Sequence, residues 1–203
     1  MVERLRAQGI RDEKVLEAML LVPRQNFVEP ALAYSAYDDT PLPIGFQQTI
    51  SQPFVVARMI EILRAGRELG RTLEVGAGCG YQAAVLAALA TEVYAVERIR
   101  PLLERAKDNL RTLRIANLRL KHADGMQGLP EVAPFDTIIV AAAAAGEVPP
   151  ALRQQLAPGG RLLLPLGGVG GDQRLLLIER QGGLFKESWY EAVRFVPLLN
   201  GTE

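Results

Sequence analysis

Three closely spaced glycines follow a short apolar stretch and mark the part of this sequence best suited to chemistry. The segment LEVGAGCGYQAAVLA spans residues 73 to 87, and its glycines are Gly76, Gly78 and Gly80. Glycine carries no Cβ, so a turn built from it bends sharply and brings the backbone close to a ligand. A helix starting near Tyr81 would point its free N–H groups at that ligand. The pattern predicts a strand, a turn and a helix start that together hold a nucleotide-like cofactor.

An acid at the end of the next predicted strand points to the kind of cofactor. A dinucleotide fingerprint of the form G-x-G-x-x-G needs glycine at position 81, where this chain has Tyr81. The strand EVYAV, residues 92 to 96, is followed by Glu97, which lies 97 − 76 = 21 residues beyond Gly76. A carboxylate at this distance accepts hydrogen bonds from ribose hydroxyls in Rossmann-type units. The two features favour an adenosine-containing cofactor.

A second acid is expected at the same edge of the sheet. Asp124 and Gly125 come directly after the predicted strand LRLKH, and open α/β sheets bind ligands at the carboxyl ends of their strands. Asp124 could accept a hydrogen bond from an adenine amino group while Gly125 lets the chain turn. A turn without a ligand is the alternative, which the nearby glycine turn and Glu97 disfavour.

The scarcity of histidine and cysteine excludes several chemistries. The chain has one histidine, His122, and one cysteine, Cys79. An internal disulfide and a thiolate metal cluster are therefore impossible, and we predict no metal site. We interpret His122 as a structural or cofactor-wall residue and Cys79 as a small residue required by the turn, with a redox-sensing thiol as the less favoured alternative.

A polar loop supplies the remaining candidates. Pro41, Pro43 and Gly45 break helical periodicity and predict a loop, and its last part reads QQTISQP, residues 47 to 53. Ser51 fits the N-cap of a helix that follows, with Pro53 in its first turn. A helix start and a functional loop are compatible interpretations, and both stay open.

Length and charge set the class of protein. The chain has 203 residues, which favours one domain. Its 23 Lys plus Arg balance 23 Asp plus Glu, so we expect no positive electrostatic field that would attract nucleic acid. No run of about 18 apolar residues is present, and the charged, amphipathic N-terminus is unlike a signal peptide. We predict a soluble, cytoplasmic monomer without membrane partners. Residues 1–70 would form helices and a substrate loop, and residues 71–203 a cofactor-binding sheet.

Apolar β-type runs alternate with helical patterns after residue 70. We expect strands over 71–75, 92–96, 118–122, 135–141 and 160–166, and helices over 81–90, 101–114 and 150–157. This alternation predicts an α/β fold with a doubly wound, mostly parallel, Rossmann-like sheet. Two later runs, 174–180 and 185–196, flank Gln181-Gly182-Gly183 and predict a hairpin that adds an antiparallel C-terminal edge, as in methyltransferases.

The sequence resembles the protein-L-isoaspartate O-methyltransferases, class I enzymes that use S-adenosylmethionine. The resemblance runs along almost the whole chain. It is carried by VPRQNFVEP (22–30), YDDTPLPIGFQQTISQP (37–53), the glycine segment, APFDTIIVAAAA (133–144), LAPGGRLLLPLG (156–167) and VRFVPL (193–198). The glycine turn is common to class I methyltransferases, whereas TISQP is particular to this family.

The resemblance implies a role for each candidate. The residues expected to bind S-adenosylmethionine are Gln48, Thr49, Glu74, Gly76, Gly78, Gly80, Glu97, Asp124 and Gly125. Ser51 aligns with the serine assigned as the family's active-site residue. Ile50, Ser51 and Val196 are expected to contact the isoaspartyl group of damaged peptides and proteins, which are the expected partners.

The expected reaction agrees with the composition. An isoaspartyl carboxylate has a pKa of roughly 3 to 4, so it is already an anion at neutral pH and needs no general base. Two alternatives remain open. A methyltransferase acting on RNA or a small molecule would carry a motif such as Asn-Pro-Pro-Tyr after the fourth strand, where this chain reads VAAAAA (140–145). A non-catalytic protein that only binds the cofactor or damaged peptides would release no methanol.

Overall fold

A seven-stranded sheet organises the chain. The computed structural model describes residues 1–168 and 171–203. In chain order the strands are Leu42–Gly45 (β1), Gln48–Ile50 (β2), Arg71–Val75 (β3), Glu92–Glu97 (β4), Leu118–His122 (β5), Phe135–Val140 (β6), Leu156–Leu166 (β7), Gln173–Gln181 (β8) and Leu184–Val193 (β9). The α-helices are Val2–Ala7 (α1), Glu13–Leu21 (α2), Pro53–Arg64 (α3), Tyr81–Ala87 (α4), Arg100–Arg111 (α5) and Pro150–Gln154 (α6), and 3-10 helices cover Arg24–Phe27 and Pro30–Ser35.

The main sheet has the order β5-β4-β3-β6-β7-β8-β9. The pairs from β5 to β7 are parallel, and β8 and β9 are antiparallel to their neighbours. The last two strands form the predicted hairpin, in which Gln181 pairs with Leu184 across two glycines. The predicted α/β fold with an antiparallel edge is confirmed.

Both faces of the sheet are covered by apolar residues. In β7, Leu163 packs with the helices of the N-terminal region, while Leu162 and Leu164 belong to the core on the opposite face. Successive side chains of a strand point to opposite faces, so a run of leucines marks a strand buried on both sides. The carboxyl ends of the parallel strands are thereby held in fixed positions.

The N-terminal helices pack on the same core as the sheet. Helix α2 begins after Asp12, whose carboxylate accepts a hydrogen bond from the Val15 N–H at 3.3 Å. Its buried residues join those of α1, α3 and α4 in one cluster. No helix of the described residues is both long and apolar enough to cross a lipid bilayer.

Several local predictions are wrong. The helices expected over 81–90 and 101–114 end at Ala87 and Arg111, the strand expected over 160–166 begins at Leu156, and the strand expected over 185–196 ends at Val193. The expected loop before residue 53 contains an antiparallel hairpin of β1 and β2. Helix α3 has Gln52, not Ser51, as its N-cap residue. The helix expected over 150–157 ends at Gln154, because Gln155 O accepts the Phe135 N–H at 2.8 Å and the chain turns into β7.

Candidate functional site

The glycine turn lies at the carboxyl edge of the sheet between β3 and α4. Gly76, Gly78 and Gly80 have φ values of +89°, +55° and +89°, a region that side-chain-bearing residues rarely adopt. The N–H groups of Gly76 and Ala77 both donate to the Val96 carbonyl, at 2.9 and 3.0 Å. These bonds hold the turn against the end of β4.

A cavity opens between this turn, the ends of β4 and β6, and the β1–β2 hairpin. The empty space inside it, including the part open to solvent at its mouth, is about 870 Å³. The predicted site residues on its wall are Gln48, Thr49, Ile50, Ser51, Glu74, Gly76, Gly78, Glu97, Gly125 and Val196. The fold therefore brings together residues that are separated by up to 148 positions in the sequence (196 − 48).

Glu97 lies on the cavity wall at the end of β4, and its contact with a ribose stays a prediction. It is buried, and its carboxylate accepts the N–H groups of Gly78 at 2.9 Å and Ile99 at 3.0 Å. Each carboxylate oxygen has more than one acceptor position. The side chain is thus fixed by the backbone and keeps acceptor capacity for hydroxyl groups in the cavity.

Glu74 is the most unusual acid of the site. It is fully buried, its Oε1 accepts the Gln82 amide at 3.0 Å, and its Oε2 has no partner among the described residues. Burial raises the pKa of Glu74 to about 8, with a smaller contribution from the charge of Glu97. A buried acceptor without a donor is unfavourable, so this carboxyl group favours a ligand that brings a donor or a positive charge.

Two predicted residues lie outside the cavity wall. A Cβ at Gly80 would lie 2.9 Å from Leu110 Cδ1, so the structure uses this glycine for close packing against α5. The Asp124 carboxylate accepts the N–H groups of Met126 and Gly201, each at 2.9 Å, while its neighbour Gly125 lines the cavity. The adenine contact of Asp124 stays a prediction.

The Ser51 loop joins the cavity to an open groove. Ser51, Thr49, Ala141 and Val196 line both spaces, and the groove continues along α3 and the end of β9. In the described part of the chain the Ser51 hydroxyl has no hydrogen-bond partner, so it is available to a ligand. The cavity and the groove meet at this residue.

The segment after β9 lies over the edge of the sheet. The Ala143 N–H donates to Val196 O, and the Leu198 N–H donates to Ala143 O, each at 2.8 Å. These two bonds place Val196 above the cavity, and its contact with the isoaspartyl group stays a prediction. The C-terminal residues beyond this segment return to β4 and β5, where His122 Nε2 lies 2.9 Å from Arg98 O and 3.0 Å from Glu203 O.

His122 therefore holds the C-terminal residues, which agrees with a structural role. Cys79 is buried, and burial raises the pKa of its thiol to about 11. A protonated thiol is a poor nucleophile, so the structural interpretation of Cys79 is the better supported one. In residues 1–168 and 171–203, no group of three or more His, Cys, Asp or Glu side chains is arranged to hold a metal ion.

Two charged residues beside the site, the buried Arg24 and the partly buried Asp39, were missed by the sequence interpretation. Arg24 donates to the Ala36 carbonyl at 2.7 Å and to the Ser51 carbonyl at 2.8 Å. Asp39 accepts the side chains of Gln8 and Gln52 and, at 3.0 Å, the N–H of Phe54 in the first turn of α3.

The Asp39 carboxylate does the capping that the sequence assigned to Ser51. Burial opposes its ionisation, but the bonds from Gln8, Gln52 and Phe54 outweigh burial and lower the pKa of Asp39. Periodicity gives no signal for such a cap, because Asp39 is 15 residues away from Phe54.

Comparison with known proteins identifies the family. The sequence profile described as protein-L-isoaspartate(D-aspartate) O-methyltransferase matches residues 1–203. The chain belongs to this family. Proteins named protein-L-isoaspartate O-methyltransferase from Aromatoleum aromaticum and Azoarcus sp. strain BH72 are 75% and 76% identical to it. Both matches cover 100% of this chain, and 92% and 93% of those proteins.

Solved structures of the protein-L-isoaspartate O-methyltransferase family have the same fold. One superposes with a TM-score of 0.84 at 30% identity, over 97% of this chain and 65% of the other. A putative member from Plasmodium falciparum, in complex with S-adenosyl-L-homocysteine, has a TM-score of 0.81 at 29% identity, over 98% and 96% of the two chains. The predicted family, methyltransferase class and cofactor S-adenosylmethionine are confirmed.

Proposed function

We propose that this chain transfers the methyl group of S-adenosylmethionine to the free carboxylate of L-isoaspartyl residues in damaged proteins and peptides. The observation that carries the proposal is the position of Ser51, where the cavity lined by the glycine turn and Glu97 meets the groove that runs along α3 and the end of β9. We call the cavity wall formed by Glu74–Gly80 and Glu97 the donor side. We call residues 42–52 together with 193–198 the acceptor side.

The donor side fits the cofactor. The unpartnered Glu74 Oε2 suits the ammonium group of its methionine part, and the Glu97 carboxylate suits the ribose hydroxyls. Gly76 and Gly78 leave room for close approach of the ligand to the backbone. When bound, S-adenosylmethionine supplies a methyl group already activated by the positive sulfonium.

The acceptor side has to orient an anion and exclude water. The isoaspartyl carboxylate is ionised at neutral pH, so the protein needs no base to activate it. We assign the Ser51 hydroxyl to donate a hydrogen bond that orients this carboxylate. Ala141 and Val196 provide apolar surroundings on the other sides. Alignment of this kind can lower a reaction barrier by roughly 7 to 11 kcal/mol.

The product explains why methylation starts repair. A methyl ester can expel methoxide, whereas a carboxylate would have to expel oxide. The neighbouring backbone nitrogen therefore attacks the ester carbonyl and closes a succinimide, and methoxide leaves with the N–H proton as methanol, without help from the protein. The succinimide then reopens partly to normal aspartate. Repair therefore requires from this chain only selective methylation.

We propose that the chain acts as a single-domain, cytoplasmic monomer, with residues 1–70 forming the acceptor loop region and 71–203 the cofactor-binding sheet. The balance of 23 basic and 23 acidic residues supports a partner other than nucleic acid.

One assay tests the proposed activity. The purified protein is incubated with labelled S-adenosylmethionine and a peptide containing one isoaspartyl residue, and methyl incorporation and methanol release are measured. The matched control is the same peptide with ordinary aspartate. We expect label only with the isoaspartyl peptide. Saturable cofactor binding without methanol release would instead indicate a non-catalytic binding protein.

A further inference from the structure

Arg24 is a buried cation without a carboxylate partner. Its exposed fraction is 0%, no salt bridge of the described residues includes it, and its Nη1 has no hydrogen-bond partner. A buried charge is costly, and an apolar residue of similar volume is often as good or better for stability. Packing alone therefore does not explain an arginine at this position.

Arg24 makes hydrogen bonds and a cation–π contact that an apolar residue could not make. Its Nε donates to Ala36 O at 2.7 Å and its Nη2 donates to Ser51 O at 2.8 Å. Its guanidinium also lies over the Tyr81 ring, 4.8 Å from the ring centre. Only the planar, forked arginine head combines two such bonds with stacking on an aromatic face.

These contacts connect the two sides of the site. Tyr81 is the first residue of α4, directly after the glycine turn, and Ser51 belongs to the acceptor side; both line the cavity. Phe27, from the same 3-10 helix as Arg24, packs edge-on against Tyr81 with ring centres 5.5 Å apart. The Ser51 backbone is thus held at a fixed distance from the donor side.

We propose that Arg24 is a positioning residue for methyl transfer, whose guanidinium sets the distance between the Ser51 loop and the Tyr81 end of the glycine turn. This inference rests on the proposed function. Transfer requires the reacting atoms to approach within about 3–3.5 Å in line, and a displacement of about 1 Å can cost roughly 100-fold in rate. Arg24 therefore acts on the rate of transfer through Ser51, without contacting the substrate.

The test compares two buried arginines. Arg64, at the end of α3, is 3% exposed, donates to Asp12 at 2.8 Å and has an unpartnered Nη1, but it does not line the cavity. The variants Arg24→Met and Arg64→Met are compared with the wild type. The measurements are melting temperature, affinity for S-adenosylhomocysteine by calorimetry, and kcat and KM for an isoaspartyl peptide, at a temperature where all are folded.

We expect only Arg24→Met to lose turnover, independently of any change in melting temperature in either variant. Its kcat should fall about 100-fold, while its affinity for S-adenosylhomocysteine stays within about threefold of the wild type. Arg64→Met should keep its kcat within about twofold. Arg24→Lys, which keeps the charge but reaches one carbonyl, should lose about tenfold in kcat; it decides the matter alone if Arg24→Met does not fold.

Two results overturn the proposal. One is a wild-type kcat in Arg24→Met or, if that variant is unfolded, in Arg24→Lys. The other is an equal loss of kcat in the Arg24 and Arg64 variants, because a general effect of weakened packing would then explain both. A wild-type protein that does not methylate the isoaspartyl peptide would overturn the proposed function as well, so the two failures are distinguishable.

Discussion

The donor side and the acceptor side are held in place by different means. On the donor side, the turn and Glu97 are fixed mainly by backbone groups of neighbouring strands, such as the bonds from Gly76 and Gly78 to the end of β4. On the acceptor side, side chains from distant segments hold the chain. Arg24 holds Ser51, Asp39 holds the start of α3, and Arg105 donates to Ile44 O at 2.6 Å.

This difference suggests that the donor side determines cofactor binding and that the acceptor side determines the alignment of the substrate. The donor side is part of the sheet and is held mainly by backbone hydrogen bonds. The acceptor side has the β1–β2 hairpin, whose strands contain four and three residues, and the half-buried Ser51. Its position depends on a few side-chain bonds. Substitutions on the donor side should therefore change cofactor affinity, and substitutions of Ser51 and of the residue that holds it should change turnover.

The largest expected effect is on the donor side, at Gly76. A side chain there must adopt φ near +89°, and its Cβ would lie 3.6 Å from Ala141 in the cavity wall. We expect Gly76→Ala to weaken S-adenosylhomocysteine binding by about 100-fold, measured by calorimetry, through backbone strain of about 1–3 kcal/mol and loss of space for the ligand. The control is Gly66→Ala, at φ +82° with nothing within 4 Å of its Cβ. Equal loss of binding in both variants would contradict the prediction.

Ser51→Ala should lower turnover and leave cofactor affinity unchanged, in contrast to Gly76→Ala. Losing a hydrogen bond to a charged group costs about 1.5–3 kcal/mol, so we expect kcat for the isoaspartyl peptide to fall roughly 10- to 100-fold. Affinity for S-adenosylhomocysteine should stay unchanged. Steady-state kinetics and calorimetry measure the two quantities, and Ser188→Ala in β9 is the control. Lost cofactor affinity with normal turnover would reverse the assignment of Ser51 to the acceptor side.

The two sides also differ in how far the sequence predicted them. The donor side is encoded locally: the glycine turn and Glu97 lie at the ends of strands whose apolar pattern is clear, so their meeting follows from parallel pairing. Parallel pairing likewise explains the correct expectation for β3 to β7. The hairpin edge was predictable because two glycines separate β8 from β9.

The acceptor side was predicted less well for a physical reason. The hairpin turn of β1 and β2 has positive φ at Phe46 and Gln47, of 52° and 57°, where glycine or asparagine would be the recognisable signal. Arg24 reaches a carbonyl 27 residues away, and no local pattern indicates such a bond. The resemblance of TISQP to a known family located Ser51, but only the structure shows what holds it.

A smaller effect is expected from the buried acid of the donor side. The pKa of Glu74 is about 8 in the folded chain and about 4.5 as the reference value. From pH 4.5 to 8 the unfolded chain releases this proton while the folded chain keeps it, so the free energy of unfolding falls as pH rises through this range. Glu74→Gln removes this loss, and we expect its melting temperature to exceed that of the ligand-free wild type by several degrees at pH 8.

At pH 5 the same difference in melting temperature should be much smaller, because the Glu74 carboxyl is then protonated in the folded chain. Although Glu74→Gln should gain thermal stability, it should lose affinity for the cofactor product. We expect it to bind S-adenosylhomocysteine about tenfold more weakly, as expected for loss of a charged hydrogen bond. Thermal melting and calorimetry at both pH values measure these effects. Gln127→Glu, outside the cavity wall, controls for the change between amide and acid. A pH-independent difference between Glu74→Gln and the wild type would show that Glu74 does not titrate as inferred.

The smallest expected effect concerns the outer edge of the acceptor side. Arg194 is exposed and lines the groove, and no salt bridge of the described residues includes it. An exposed charge contributes about 0.2–1 kcal/mol, so we expect Arg194→Glu to raise KM about threefold for a peptide with an acidic residue beside isoaspartate. Its kcat should stay constant, because Arg194 lies outside the cavity where transfer occurs.

Arg111→Glu, on the exposed side of α5, makes the same change in net charge away from the groove. If both variants raise KM equally, the cause is the net charge of the protein; if only Arg194→Glu does, and the effect disappears at high salt, the groove holds the peptide beside Ser51.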